Sequence, residues 1–409
     1  MPINSEMARA EIPFLLPDLP QADDVLPFLR RIDQNKWYSN FGPLQHELEA
    51  QIAEMFFPEL AGESERVVAC SSGTAAIELA LEALNLPKDS RVLVPSFTFA
   101  ATGTAIIRAG YTPIFCDVDP ETWLLTPEIA YGVLDYLSVD AVLPVAALGA
   151  PQDAKRWGEF ALNKRIPVVI DAAAALGEQL SNPYVTICCS LHATKRFGIG
   201  EGGLVVAPNV QHAQEIRRLS NFGFDNGIVT TAGSNYKLSE YHAAIGLAQI
   251  ARVSSLKARR ERVCRTYEAH LNFDLGFYST QRQVDSALRH GDCVVALKKP
   301  TFTSTIALKI EHPEIEMLMP DFVSGLLARG IGVRQWYAPA LHKHPGFTHY
   351  ESVDVNGGRS LKVTESLNAS LIGLPFHNFL KDEEVAYVCD ELESMLVSIR
   401  QKPLVGLGG

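Results

Sequence analysis

The sequence has no run that approaches the roughly 20 consecutive apolar residues of a membrane-spanning helix. Residues Met1–Pro20 contain acids and prolines where a secretory signal would have a basic start and a continuous apolar stretch. The chain is also poor in positive charge, because 36 Lys and Arg stand against 47 Asp and Glu, giving a formal net charge of −11. We therefore expect a cytoplasmic protein with neither a membrane nor a nucleic acid as its partner.

Paired cysteine spacing is absent as well. The seven cysteines are an odd number, lie mostly within apolar runs and include no CxxC pair. This pattern is typical of reduced, buried thiols, so the sequence predicts neither a disulfide framework nor a metal site.

The length of 409 residues exceeds the size at which one hydrophobic core usually stops growing, so we expect two domains. Hydrophobic residues make up 47% of the chain, which is enough for a large core. The composition changes near residue 255, after which Ala258–Arg265 is rich in arginine. We predict a large ligand-binding domain over residues 1–255, including an N-terminal arm, and a smaller α+β domain over residues 256–409.

Short apolar runs alternate with helical periodicity in the first half of the chain. The predicted strands are Arg66–Ala69, Arg91–Pro95, Thr112–Cys116, Ala141–Val145, Pro167–Ile170 and Gly203–Val206. The predicted helices are Thr74–Leu84, Ala100–Ala109, Pro127–Tyr136, Asp153–Asn163, Val210–Leu219 and Ser239–Leu256. This alternation predicts an α/β fold with a large, mostly parallel mixed sheet flanked by helices. Ligands bind such sheets beyond the carboxyl ends of the strands.

The predicted smaller domain has a less regular pattern. Its predicted strands are Thr305–Ile310 and Val333–Tyr337, and its predicted helices are Pro320–Arg329 and Lys381–Arg400.

A hydroxyl-rich segment, Cys70–Thr74, lies between a predicted strand and a predicted helix. Backbone amides at a helix N-terminus bind phosphate without any net positive charge. A simple helix cap explains the same residues, because Ser and Thr are favoured at that position.

Asp171 ends a predicted strand, so its carboxylate points toward the predicted ligand crevice. An unpaired buried charge is costly, which predicts a cationic partner such as a protonated pyridine nitrogen. Capping of the following helix is the alternative.

Lys195 lies between a strand and the glycine-rich turn Gly198–Gly203, a position suited to forming an imine with an aldehyde. The alternative is an ordinary surface lysine. The turn also matches GxGxxG, the dinucleotide fingerprint. That fingerprint must open a helix, whereas strand-like residues follow Gly203, so we do not favour it.

Taken together, several segments resemble the DegT/DnrJ/EryC1/StrS family of sugar aminotransferases, which are fold type I enzymes dependent on pyridoxal 5'-phosphate (PLP). The resemblance runs from about Trp37 to at least Phe347. The matching segments are Ser39–Leu44, Ser72–Ala76, Val94–Thr102, Asp171–Ala173, Ser190–Gly203, Gly233–Glu240 and Ala243–Leu247. It implies that Lys195 is the Schiff-base lysine and that Asp171 pairs with the pyridine nitrogen.

The resemblance also implies further ligand contacts. Phe99 matches an aromatic residue that stacks on the cofactor ring, and Asn235 matches a residue that reaches the phosphate of the neighbouring subunit in a homodimer with shared active sites. Gly73, Thr74 and Ser190 match contacts with the phosphate. We also expect four residues at the substrate site, which are His192, close to Lys195 in the motif, and Arg334, Tyr337 and His342, near the crevice face of the smaller domain. A structural hydrogen bond is an equally good role for His192, and packing for Tyr337.

By this resemblance the substrates are an amino acid donor, L-glutamate, and a nucleotide-linked 4-keto-6-deoxy sugar aminated at C4. Amination of a non-nucleotide ketone such as a cyclitol is one alternative, and a catalytically silent PLP-binding regulator is another. Two departures from the family pattern bear on the acceptor. Ala174 stands where Gln or His is common, and the segment Glu178–Cys189 is short.

Overall fold

A computed structural model of the chain describes residues 11–271, 294–298, 305–311 and 314–401. These residues fall into two compact units. The larger unit comprises residues 17–254 and 339–364. The smaller unit comprises the described residues within 11–16, 255–338 and 365–401.

The units are interleaved along the chain, whereas the predicted division into 1–255 and 256–409 is contiguous. Long-range backbone pairing explains the difference. Ile12 pairs with Ile331 in an isolated bridge, which ties the N-terminal segment to the smaller unit. Ser352–Val353 pairs with the strand Thr112–Cys116, which ties residues 339–364 to the larger unit.

The larger unit contains an eight-stranded sheet. Its strands in chain order are β1 (Val67–Cys70), β2 (Arg91–Pro95), β3 (Thr112–Cys116), β4 (Ala141–Val142), β5 (Val168–Asp171), β6 (Val185–Ser190), β7 (Gly203–Val206) and β13 (Ser352–Val353). They lie in the order β1-β7-β6-β5-β4-β2-β3-β13. Every neighbouring pair from β6 to β13 is parallel, and β7 runs antiparallel to both β6 and β1.

Helices surround this sheet. Those of the larger unit are α1 (Ala22–Asn35), α2 (Pro43–Phe56), α3 (Gly73–Glu82), α4 (Ala100–Arg108), α5 (Pro127–Val133), α6 (Ala154–Lys164), α7 (Val210–Ser220) and α8 (Glu240–Ile250). A small hairpin of β8 (Phe224–Asp225) and β9 (Ile228–Val229) follows α7. The single helix predicted over Ser239–Leu256 is instead α8 followed by a separate helix, α9 (Val253–Leu271).

The sheet has a core layer on each face. In β1, Val67 and Ala69 belong to one buried cluster, whereas Val68 and Cys70 belong to another. Successive strand residues point to opposite faces, so both faces of this sheet are covered by apolar side chains. The prediction of a mostly parallel α/β sheet flanked by helices is confirmed.

The smaller unit contains an antiparallel sheet in the order β10-β11-β14-β12. Its strands are β10 (Val294–Lys298), β11 (Ile306–Glu311), β12 (Arg334–Gln335) and β14 (Leu371–Leu374), accompanied by helices α10 (Ile315–Ala328), α11 (Lys362–Ser370) and α12 (Asp382–Gln401). The prediction that Pro320 begins a helix is wrong, because α10 begins at Ile315 and contains Pro320. Among the described residues, no helix is long and apolar enough to cross a bilayer.

Candidate active site

Asp171 is the last residue of β5 and is 5% exposed. Its Oδ2 accepts a 2.7 Å hydrogen bond from Thr102 Oγ1, and its Oδ1 accepts the Ala173 backbone N–H at 3.0 Å. Burial raises the pKa of this carboxyl, while the two hydrogen bonds and the nearby positive charge of Lys195 lower it. Burial is the largest of these effects, so the charged form of Asp171 needs further positive charge to be stable.

Lys195 lies on the turn between β6 and β7, and this turn is held by backbone hydrogen bonds. Lys195 N–H donates to the carbonyl of His192 at 2.8 Å, and Ala193 N–H donates to the carbonyl of Gly200 at 2.7 Å. Gly200 has a φ of +98°, a backbone conformation that favours glycine. The turn thus presents Lys195 close enough to Asp171 for the two charges to interact.

The glycine run Gly198–Gly203 leads into strand β7, as its strand-like continuation predicts. Gly203 pairs with Cys70 on β1 and with Ser190 on β6. A Cβ at Gly203 would lie 2.0 Å from the Ser72 carbonyl oxygen, so a side chain does not fit there. The glycine is therefore explained by close backbone approach rather than by a dinucleotide site.

That close approach brings the N-terminus of α3 beside the end of β6. A Cβ added to Gly73 would be 2.7 Å from the Cβ of Ser190. Ser72 is the N-cap of α3 and its hydroxyl accepts the Ala75 N–H at 3.0 Å. The amides of Gly73 and Thr74 lie in the first turn, where helix N–H groups have no partner within the helix and can bind an anion.

Phe99 precedes α4 as its N-cap residue and is 42% exposed. Thr98 and Thr102 flank it in sequence, and both are buried. Phe99 therefore lies just before the first turn of α4, which contains the Thr102 hydroxyl bonded to Asp171.

His192 is half-exposed beside the Lys195 turn. Its Nδ1 shares a 2.8 Å hydrogen bond with Thr194 Oγ1, and its Nε2 is 3.6 Å from Glu201 Oε1. His342 also belongs to the larger unit, and its Nδ1 lies 2.6 Å from Ser96 Oγ at the end of β2. Both imidazoles thus have partners within the unit that contains Lys195.

Arg334 and Tyr337 belong to the smaller unit. The Arg334 guanidinium lies over the Trp336 ring, 4.1 Å from its centroid, and burial lowers the pKa of Arg334. The Tyr337 carbonyl accepts a hydrogen bond from Asn368 Nδ2 at 2.7 Å.

Asn235 is exposed and lies outside the Asp171–Lys195 cluster of contacts. It forms an isolated bridge with Asn221, and its Oδ1 accepts a 2.7 Å hydrogen bond from Lys237 Nζ. Lys237 Nζ also lies 4.6 Å from the centre of the Phe222 ring.

The two departures from the family pattern lie close to Asp171. Ala174 is half-buried in the turn after β5. The short segment begins at Glu178, whose carboxylate lies 3.2 Å from the guanidinium of Arg196, the residue after Lys195. The segment then continues into β6.

Sequence reasoning missed Thr102, although the residue lies in a segment that the resemblance includes. The sequence gives only a weak indication of its role, because Thr98 and Thr102 are simply two threonines four residues apart at the junction of a predicted strand and a predicted helix. In the structure their hydroxyls are 2.7 Å apart, and Thr102 donates to Asp171.

These residues fit PLP. The buried carboxylate of Asp171 needs a cation, and the cofactor's protonated ring nitrogen is one. Lys195 is the primary amine that its aldehyde requires, and the first turn of α3, where a Cβ on Gly73 does not fit, suits its phosphate.

The sequence profile of the DegT/DnrJ/EryC1/StrS aminotransferase family matches residues 21–393. The fold is thus that of a PLP-dependent aminotransferase. The chain belongs to the DegT/DnrJ/EryC1/StrS family.

Curated relatives cover most of the chain. Protein Rv3402c of Mycobacterium tuberculosis is 30% identical over 400 residues, which is 92% of this chain and 88% of that protein. The dTDP-4-amino-4,6-dideoxy-D-glucose transaminase of Shigella dysenteriae is 26% identical over 394 residues, which is 93% and 97% of the two chains.

Solved structures agree in fold. DesI, determined in the presence of its TDP-sugar product, has a TM-score of 0.79 and 26% identity and covers 98% of this chain and 100% of its own. NtdA from Bacillus subtilis has a TM-score of 0.77 and 23% identity, covering 95% and 86%, and shows the same fold.

Proposed function

We propose that the protein transfers an amino group from L-glutamate to C4 of a nucleotide-linked 4-keto-6-deoxy sugar. The observation that supports it best is the buried Asp171 carboxylate beside Lys195. A carboxylate desolvated to this extent is stabilised by a cation at its exposed edge, and a lysine amine is already nearby.

When bound, PLP supplies an aldehyde for amine exchange and a ring that takes up negative charge from the substrate carbon. Lys195 is the proposed base, which moves a proton at the carbon that bears the amine. Asp171 is the proposed partner of the ring nitrogen, where its negative charge keeps that nitrogen protonated.

Further residues are proposed to position the ligands. Phe99, exposed at the N-terminus of α4, would stack on the cofactor ring. Asn235 would reach the phosphate in a second copy of the chain, which gives a homodimer with shared sites. The proposed phosphate contacts are Gly73, Thr74 and Ser190, and the proposed sugar-nucleotide contacts are His192, Arg334, Tyr337 and His342.

The substrate class rests on the relatives. The Shigella dysenteriae relative is named for a dTDP sugar aminated at C4, and DesI was crystallised with a TDP-sugar product. Both align over nearly the whole chain, which supports a nucleotide sugar as acceptor here.

The test is a two-step spectroscopic assay on the purified protein. We expect a yellow protein whose absorbance is bleached by L-glutamate and is restored by dTDP-4-keto-6-deoxy-D-glucose, with an amino sugar of the expected mass as product. Restoration only by a keto-cyclitol would replace the nucleotide sugar with that acceptor. A yellow protein that no amino donor bleaches would contradict the enzyme and favour a PLP-binding regulator.

A further inference from the structure

The Asp171 carboxylate is held by a buried chain of two threonine hydroxyls. Thr102 Oγ1 lies 2.7 Å from Asp171 Oδ2 and 2.7 Å from Thr98 Oγ1. The Thr102 side chain is fully buried, and Thr98 is 2% exposed. Both hydroxyls are thus shielded from bulk water and hydrogen-bond within the protein.

The direction of these hydrogen bonds follows from counting protons. An ionised carboxylate can only accept, so Thr102 must donate its single hydroxyl proton to Asp171. Thr102 then has only lone pairs left for Thr98, so Thr98 must be the donor of the second bond. The hydrogen bonds run from Thr98 to Thr102 to Asp171, and each polarises the next in the same sense.

The two oxygens of Asp171 thus have one fixed donor each. Thr102 binds Oδ2, and the Ala173 backbone N–H binds Oδ1. This arrangement prevents rotation of the carboxylate and favours its charged form. We infer that Thr102, supported by Thr98, is a positioning residue that fixes the Asp171 carboxylate to receive the ring nitrogen of PLP, an inference that rests on the proposed function.

Other titratable groups face Asp171, and their charges are compatible with this role. Lys195 contributes a favourable positive charge. The thiols of Cys188 and Cys189 on β6 also lie near it. Burial is the main cause that raises the pKa of both thiols, to about 12 for Cys189, so both are neutral near neutral pH. The Thr102 hydroxyl, supported by Thr98, and the charge of Lys195 thus lower the pKa of Asp171, whereas burial raises it.

The test strips PLP from the holoenzyme and measures its rebinding by absorbance in Thr102→Val, Thr102→Ser and Thr98→Val. Valine has the shape of threonine without the hydroxyl, and a hydrogen bond to a charged group is strong, so Thr102→Val should weaken PLP affinity about tenfold. As the pH is lowered, Thr102→Val should lose PLP binding at a higher pH than the original protein does, because a donor that lowers the pKa of Asp171 is lost. Thr98→Val should have a smaller effect in the same direction.

Serine keeps the hydroxyl, so Thr102→Ser should restore affinity to within about twofold of the original protein. Thr122→Val is the matched control, because the Thr122 hydroxyl is buried without a hydrogen-bond partner among the described residues and its loss should leave PLP binding unchanged. The inference is overturned if Thr102→Val binds PLP normally or if Thr102→Ser is as weak as Thr102→Val. Asp171→Asn separates the two claims when glutamate-dependent bleaching is measured, because normal bleaching by that variant would contradict the role of Asp171 in the proposed function, whatever the threonine variants do.

Discussion

Gly73 and Ser190 come so close that a Cβ on Gly73 would lie 2.7 Å from the Ser190 Cβ and 3.2 Å from its Cα. Residues 73 and 190 belong to the ends of different elements, the start of α3 and the end of β6. Their contact brings the helix amides and the Ser190 hydroxyl together in one place, which is what a phosphate group requires.

Gly73→Ala should weaken PLP binding by about tenfold or more, because the added methyl must push β6 away from the helix amides. Titration of the apoprotein with PLP measures this change. Gly346→Ala is the control, because nothing lies within 4 Å of a Cβ built there. Equal PLP affinity in the two variants would contradict a phosphate site at the start of α3.

Glu49 should make the stability of the larger unit depend on pH. Its side chain is 3% exposed and accepts hydrogen bonds from Arg217 at 2.8 Å and from the Ala69 backbone N–H at 2.9 Å. Burial alone would raise the pKa of Glu49, but hydrogen bonds from His46, Arg217 and Ala69 and the Arg217 charge outweigh it and lower the pKa below the ordinary 4.5. The Glu49 carboxylate therefore contributes its full stabilisation above about pH 4.5, and this stabilisation is lost as the pH falls through the lowered pKa.

Glu49→Gln should lower the free energy of unfolding by about 2 kcal/mol at pH 7, because Arg217 loses its charged partner. The difference from the original protein should shrink as the pH falls below 4.5. Urea unfolding at pH 7 and at several acidic values measures both effects. A difference that stays constant with pH would rule out this ion pair as the cause.

Asp117 should anchor the end of residues 339–364, the segment that returns to the larger unit. Its carboxylate accepts the backbone N–H groups of Val363 and Thr364 and the Thr364 hydroxyl, at 2.8 to 2.9 Å. Asp117→Ala should lower the free energy of unfolding by about 2 kcal/mol, because three hydrogen-bond donors in the first turn of α11 lose their partner. Asp135→Ala, at an exposed position in the turn after α5, is the control that should change stability little. Equal stability of the two variants would refute the anchoring role.

The sequence predicted the sheet well because its strands are uninterrupted apolar runs. The bounds predicted for β2, β3 and β7 are those observed. The interleaving of the two units was not predictable in the same way, because it depends on two-residue pairings such as Ser352–Val353 with β3. Such short pairings leave no periodic pattern in the sequence.

The candidate site shows the same division between local and distant signals. Asp171 and Lys195 could be predicted as site residues because each lies at a recognisable boundary, a strand end and a glycine turn. Thr102 was missed because its role depends on a hydrogen bond to Asp171, which is 69 residues away in the chain. A hydroxyl near a helix start predicts only capping until its partner across the sheet is known.

The most direct test of the account is the visible absorbance of Lys195→Ala loaded with PLP. The amine of Lys195 is the only group assigned here to bond the cofactor aldehyde, so the variant should lack the yellow absorbance of a lysine-bound cofactor and should not transfer amino groups. Lys155→Ala, at an exposed position on α6, should remain yellow and active. If Lys195→Ala is yellow, and sodium borohydride bleaches that colour while fixing PLP to another lysine of the folded protein, the assignment of Lys195 is wrong.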